Sequence, residues 1–217
     1  MGSSWLDTGR AVAFGLAVRP WFVVRDLLQA PADPALRAAL AALHRSPQPR
    51  DGFESVLAAR RAALPPEARV WGETPFCVAH ALLRDAGVGP GSRVVDLGAG
   101  RGSVLLAARA LGASARGCEL DPARARAIAG PLAACGATLE VADARSFDLE
   151  VPTHVWVSWI TWPAPLRAEL SARCAGLPAG TRVVALTWSP TGPFRKISER
   201  RRLLPWGIVD AIVSERE

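Results

Sequence analysis

Residues 93–103 read RVVDLGAGRGS: a short apolar run from Arg93 to Leu97, a turn carrying Gly98, Gly100 and Gly102, and a helix opening at Ser103. An aliphatic run that ends in glycines and passes into a helix is the first βα unit of a parallel sheet. Glycine in such a turn lets backbone approach a ligand closely, and sets that ligand at a helix N-terminus beyond the carboxyl end of a strand. The alternation continues downstream. The helix over 103–111 leads to a strand over 115–120, Asp121-Pro122 starts a helix to Ala134, and strands follow over 138–141 and 154–160. A helix over 165–175 and a strand over 182–187, set off by the turn Pro178-Ala179-Gly180, extend the series. Two last segments, 203–204 and 208–213, have no helix between them and predict an antiparallel pair. The expected fold is therefore α/β: a Rossmann-like, mostly parallel sheet with helices on both faces, an antiparallel C-terminal edge and an N-terminal helical extension.

Upstream, Thr74-Pro75 starts a helix through Phe76, Val78 and Leu82-Leu83 that Gly87 and Gly89-Pro90-Gly91 end. Asp33-Pro34 followed by Leu36, Leu40 and Leu43 predicts an amphipathic helix, and a further helix is expected over 52–64 before Pro65-Pro66. The chain divides into residues 1–70, a helical extension or lid, and residues 71–217, the α/β domain. The apolar stretch from Ala11 to Val24 is broken by Arg19 and Pro20, too short to span a bilayer, and lacks a basic secretory n-region. Packing onto the domain is its expected role; contact with a membrane surface is the lesser alternative.

Half of the 217 residues are apolar, and charge is moderate, which excludes disordered and collagen-like classes. The net charge of +6 is carried almost wholly by Arg, Lys196 being the single Lys. Residues 1–69 hold nine Arg against six acids, residues 70–150 eight against nine, and residues 151–217 nine basic residues against five acids. The middle third is nearly neutral. A general nucleic-acid binder would show a basic stripe interleaved with aromatics, so a nucleic-acid partner is disfavoured. Cys77, Cys118, Cys135 and Cys174 are widely spaced, without a C-x-x-C pair or a His at ligand spacing, so neither a metal site nor a disulfide framework is expected. Buried, reduced thiols and a cytoplasmic location follow.

The chemistry lies in the turn. As a dinucleotide fingerprint counted from Gly98, the sixth position is Ser103, but Asp96 stands two residues before the first glycine, where a carboxylate suits a cationic or amine-bearing ligand better than a pyrophosphate. Two more acids follow the next strands: Glu119 in Gly117-Cys118-Glu119-Leu120-Asp121 and Asp143 in Val141-Ala142-Asp143-Ala144. Each could merely cap a turn or a helix. Three acids just past the ends of three consecutive strands are the more specific signal. Asp96-x-Gly98-x-Gly100-x-Gly102 resembles the first motif of class I S-adenosylmethionine (SAM) methyltransferases. The resemblance implies SAM as cofactor, with Glu119 on the ribose hydroxyls and Asp143 on the adenine amino group; it also places Ala99, Leu120, Ala144 and Ser158 at the cofactor. Trp71-Gly72-Glu73-Thr74-Pro75 resembles the segment that folds over the methionine end of SAM in protein-lysine methyltransferases acting on mitochondrial carrier and ATP synthase subunits, with Trp71 in place of their Tyr. That implies Gly72, Glu73 and Thr74 at the cofactor, Thr74 near its carboxylate, and an amine acceptor such as a protein lysine. A short-chain dehydrogenase is excluded, because that class needs a Tyr general acid and the chain has no Tyr.

In this fold the acceptor approaches the end of the fourth strand, here Trp156-Val157-Ser158-Trp159-Ile160-Thr161-Trp162-Pro163. Ser158 is not followed by two prolines, so nucleobase N-methylation is disfavoured. Strand alternation puts Trp156 in the core and Trp159 on the opposite face. Trp159, Trp162 and Trp188 are the candidate acceptor-pocket residues, since indole faces attract ammonium and exclude water; packing anchors are the alternative. No general base is evident: His154 lies at the wrong strand end, and His44 and His80 read as structural. Glu73 could orient an acceptor amine. Arg195, Lys196 and Arg200-Arg201-Arg202 read as a solvated helical face, or as a dock for an acidic partner. A small-metabolite methyltransferase and a non-catalytic SAM-binding protein remain the alternatives.

Overall fold

The computed structural model describes residues 5–45 and 72–217. Helices α1 (Trp5–Leu28) and α2 (Pro34–Arg45) come first, then α3 (Phe76–Asp85). The alternating series follows as β1 (Arg93–Leu97), α4 (Ser103–Ala110), β2 (Ser114–Glu119), α5 (Pro122–Ala134), β3 (Ala137–Val141), β4 (His154–Val157), α6 (Ala164–Ala175) and β5 (Arg182–Leu186). The hairpin β6 (Phe194–Leu204) and β7 (Gly207–Arg216) closes the chain. One seven-stranded sheet has the order β3-β2-β1-β4-β5-β7-β6, parallel up to β5 and antiparallel from there. The expected α/β architecture with its antiparallel edge is the observed one. The helix expected over 52–64 and Trp71 lie outside the described residues.

Side-chain alternation sorts the core into two layers. Val94, Trp156 and Val184 face one side with Leu83 of α3, Leu105 of α4 and Ile128 of α5, whereas Val95, Val155, Val157 and Val183 face the other with Leu170 of α6. The N-terminal helices join the first layer. Phe22 of α1 and Leu36, Leu40 and Leu43 of α2 are buried in the same cluster as α3 and α4. Asp33 caps α2 as its sequence predicts, accepting from the N–H groups of Ala35 and Leu36. The start of α3 follows Pro75, which has no side-chain oxygen to offer. Its orphan N–H groups are satisfied from α1 instead: the buried Asp26 carboxylate accepts from Phe76 at 3.3 Å and Cys77 at 2.7 Å.

Two elements differ from expectation. The fourth strand stops at Val157, three residues early, and Ser158 to Pro163 runs as a turn into α6. The basic cluster from Arg195 to Arg202 is strand, not helix. It lies in β6, the outer strand of the sheet, where charged side chains discourage edge-to-edge pairing with another chain. Arg195 pairs with Glu215 of β7 and Arg202 with Asp85 of α3. Among the described residues, no helix is long and apolar enough to cross a membrane.

Candidate functional site

The order of the strands reverses at β1, which has β2 on one side and β4 on the other, so their carboxyl ends splay a crevice at the topological switch point. A cavity of about 240 Å³ opens there. Its floor is the turn after β1. The N–H groups of Gly98 and Ala99 both donate to the Cys118 carbonyl of β2, at 3.0 and 2.8 Å, which folds the turn back over the sheet. Gly98 has φ +79°, and a Cβ there would meet the Trp162 ring at 3.1 Å. Glycine is thus required twice over at this point, for conformation and for space.

The three expected acids surround this cavity with Gly72, Glu73, Thr74, Gly98, Ala99, Gly100, Leu120, Ala144 and Ser158. Gly102 does not reach it. That residue is the N-cap of α4, with φ +79°, and a Cβ there would lie 2.6 Å from Leu132 of α5, so its role is helix-against-helix packing. Asp96 is 2% exposed, and its Oδ2 is buried without a hydrogen-bond partner. Burial pushes its carboxyl well above the usual carboxylate range, and the neighbouring Glu119 charge adds to the shift. Glu119 is differently situated. Its Oε2 accepts from Gly100 N–H at 2.9 Å, and its Oε1 accepts from Asp121 N–H and from Arg124, each at 2.9 Å. Asp143 is held by Arg145, whose guanidinium donates to both its oxygens, and these hydrogen bonds lower its pKa.

A second tier of contacts fixes the wall before α3. Arg101, 3% exposed and set between Gly100 and Gly102, donates to the Leu43 carbonyl at the end of α2 at 2.7 Å and to Glu73 at 2.5 Å. Burial raises the Glu73 pKa against the opposing pull of Arg101. Ser103 donates to the Thr74 carbonyl at 2.6 Å, tying the start of α4 to the same segment. Trp206, in the turn between β6 and β7, donates from Nε1 to the Glu73 carbonyl at 3.2 Å, and its ring lies 2.8 Å from where a Cβ on Gly72 would stand.

The candidate acceptor tryptophans separate. Trp162 lines the cavity, and so does Trp156 from the core. Trp159 does not: it stays on the face of Val155 and Val157, in the second core layer, 1% exposed, and donates from Nε1 to the Trp188 carbonyl at 2.8 Å. Trp188 is also outside the cavity, with the Arg167 guanidinium stacked 4.0 Å above its ring. Arg101, Arg124, Arg145 and Trp206 line the cavity but are not among the expected residues. The only sequence signal for Trp206 is an aromatic beside the glycine of a hairpin, and for the arginines there is none. His154 is buried at the amino end of β4, its ring nitrogens engaged by Ala86 and Thr153. The four thiols are buried, and burial holds Cys77 and Cys118 up at about 12 and Cys174 at about 11.

No protein-family model matches the chain, and no curated protein does. Solved structures do. The chain is similar to TrmN from Thermus thermophilus, with TM-score 0.58 and 24% identity over 70% of this chain and 52% of that one, so it spans about half that protein's length. It is similar to an RNA methyltransferase from Salinibacter ruber in complex with S-adenosyl-L-homocysteine, with TM-score 0.55 and 23% identity over 67% of this chain and 94% of that one. A structure of MtNAS in complex with S-adenosylmethionine has TM-score 0.52 and 14% identity over 94% of this chain and 78% of that one. These likenesses show the fold: the chain has the seven-stranded, Rossmann-like methyltransferase fold.

Proposed function

We propose that this chain is an S-adenosylmethionine-dependent methyltransferase, acting on an amine nitrogen such as that of a protein lysine. The observation that carries this reading is Asp96, a buried carboxylate with an unpartnered oxygen at the floor of a cavity that Gly98 leaves open by having no side chain. Such a group is costly to keep empty, and an amine-bearing cation satisfies it where a pyrophosphate would be repelled. The residues present fit the cofactor. Asp96, Thr74 and the backbone from Gly98 to Gly100 would hold its amino-acid end, Glu119 and Leu120 its ribose, and Asp143 and Ala144 its base, with Gly72, Glu73 and Ser158 along the methionine side.

When bound, the cofactor supplies a methyl carbon activated by a positively charged sulfur. The chain's own part is positioning. The Glu73 segment, clamped by Arg101 and Trp206, and the turn from Ser158 to Trp162 form facing walls between which a nucleophile can be held in line with that carbon, and alignment in a dry site supplies most of the acceleration. Amine is favoured as acceptor because the walls offer carboxylate and indole, both of which attract ammonium. A small amine metabolite fits the same chemistry. The exposed arginines of β6 favour a second reading, an RNA acceptor, which is the class of the Salinibacter ruber protein.

Calorimetry with SAM tests the cofactor: micromolar-range binding that Asp96→Ala or Glu119→Ala greatly weakens is expected, and no binding by the wild type would overturn the proposal. Methyl-labelled SAM incubated with a cell extract, then split into protein, RNA and small-molecule fractions, tests the acceptor. Label in protein is expected. Label confined to another fraction removes lysine, and bound SAM with no transferred label makes the chain a binding protein.

A further inference from the structure

Helix α1 meets the domain along one side. Phe22 is buried in the first core layer and Asp26, four residues on and therefore on the same face, caps the start of α3. The opposite side is turned to solvent, and it is apolar throughout. Between Ala17 and Leu28 the exposed positions are Ala17, Pro20, Trp21, Val24, Leu27 and Leu28, at the three- and four-residue spacing of a single helical stripe about 16 Å long. Trp21 is 47% exposed, Val24 53%, Leu27 55% and Leu28 82%. Surface leucines scattered singly need no explanation, but an unbroken apolar stripe without a polar side chain in it marks a contact.

The charges bordering the stripe say what kind of contact. Arg25 lies beside it, its guanidinium 4.8 Å over the Trp21 ring. Arg37 of α2 is exposed near the Leu28 end, where it donates to the carbonyls of Pro31 and Ala32 in the loop that follows α1. Acid is turned away: Asp26 is buried on the other side of the helix, and Asp33 in the loop is committed to the N–H groups that open α2. An apolar stripe edged by arginine and indole complements a surface that is anionic at its rim and apolar beneath. A second copy of the chain fits less well, because six residues fall far short of the roughly 20–30 that each side of a stable interface contributes. We propose that α1 lies on the surface of an anionic lipid membrane, with Trp21, Val24, Leu27 and Leu28 in the acyl boundary and Arg25 and Arg37 among the headgroups. The helix lies along the membrane and does not cross it, since among the described residues no helix is long and apolar enough to do so. Packing onto the domain and contact with a membrane are then not alternatives for this segment, because they use opposite faces of one helix.

Flotation of the full chain with lipid vesicles tests this and needs neither cofactor nor acceptor, so its outcome is independent of the methyl-transfer reading. The probes are vesicles of phosphatidylcholine alone and of phosphatidylcholine and phosphatidylglycerol in equal parts. The chain should float with the mixed vesicles, less as salt is raised, and only weakly with phosphatidylcholine alone. Leu28→Glu withdraws an aliphatic side chain whose burial is worth about tenfold or more in partition, and should lower binding by at least that factor with Tm unchanged, since the side chain makes no core contact. Ile208→Glu, at an equally exposed apolar position on β7, should float as the wild type does. Arg25→Gln should weaken binding to the mixed vesicles and leave the weak binding to phosphatidylcholine as it was. No flotation with the mixed vesicles, equal binding to both kinds, or equal loss in Ile208→Glu and Leu28→Glu overturns the proposal. So does a dimer in size-exclusion chromatography that Leu28→Glu turns to monomer while vesicles stay bare, which would make the stripe an interface between copies.

Discussion

On the proposed reading Asp96 sets stability against binding, and replacing it with asparagine separates the two. The side chain is 2% exposed, Oδ2 has no partner, and the Glu119 charge is close enough to add to its raised pKa. A carboxyl whose pKa is raised by folding favours the fold only while protonated. Its contribution is fully present below the ordinary carboxylate range and is lost as pH rises through the raised value, so the group stabilises the fold less as pH climbs out of that range. The amide of Asp96→Asn would keep the shape and lose the charge. The amide still leaves a polar atom unpaired there, but removing the unpaired buried charge is worth about 1–3 kcal/mol, and in a chain of this size each kcal/mol moves Tm by about 2–4 °C.

Asp96→Asn should therefore raise the Tm of the unliganded protein by roughly 2–12 °C at pH 8 and by less at pH 5. Ligand reverses the order. SAM at about 100 times its Kd adds about 2.7 kcal/mol to the wild type and nothing to a variant that has lost the ammonium partner. Melting curves at both pH values, with and without SAM, give four numbers whose signs are fixed beforehand. A variant that melts below the wild type at pH 8 without ligand, or one that SAM stabilises as much as the wild type, refutes the argument that Asp96 is held unpaired for a cationic ligand.

Three other perturbations test neighbouring contacts. Arg145→Ala frees Asp143 from a half-exposed ion pair worth about 0–1 kcal/mol, so SAM affinity by calorimetry should rise by up to about fivefold; a fall would mean that Arg145 itself touches the ligand. Gly72→Ala puts a Cβ 2.8 Å from the Trp206 ring, so it should displace the indole, change tryptophan fluorescence and weaken SAM binding, and Trp206→Ala should cost little more in that background. Gly102→Ala meets both a positive φ and Leu132 at 2.6 Å, and should lower Tm by about 4–10 °C while leaving the Kd of the folded protein within about twofold. A large loss of affinity there would place Gly102 at the ligand after all.

What the sequence reveals is what periodicity and special backbone reveal. Glycines at 98, 100 and 102 and acids at 96, 119 and 143 are local signals tied to strand ends, and each strand end is fixed by an aliphatic run. The residues that escape are those whose place depends on partners distant in the chain. Trp159 keeps the side that alternation gives it, with Val155 and Val157, yet its place at the strand end does not say that this side is packed core, closed off by contacts as distant as the Trp188 carbonyl. The segment from Phe194 to Arg202 carries exposed charge with no strong period; β6 forms because β7 offers a ladder over ten residues of register, not because its own sequence asks for a strand. Arg101 is the same problem in small. Nothing around it says that a guanidinium will be buried, since its partners, Leu43 and Glu73, lie 58 and 28 residues away.

Glu119 shows why a site residue can be legible while its work is not. The acid after β2 is expected on a vicinal diol, and a carboxylate offers about four lone-pair positions for it. Three of its contacts are already made, to Gly100 N–H, to Asp121 N–H and to Arg124, so this one side chain braces the glycine turn after β1 against the start of α5. The turn it holds is the one beneath Asp96. Loss of Glu119 would therefore act twice, removing a ligand contact and releasing the loop that shapes the cavity floor, and Glu119→Ala alone cannot apportion the two. Glu119→Gln can. Its amide oxygen can still take the Gly100 N–H, while the NH2 in place of Oε1 can no longer accept from Asp121 N–H or Arg124, and the charge that raises the Asp96 pKa is gone. If the hold on Gly100 dominates, Glu119→Gln keeps most of the SAM affinity that Glu119→Ala loses; if the charge and its contacts on the α5 and ribose side dominate, the two variants fall together.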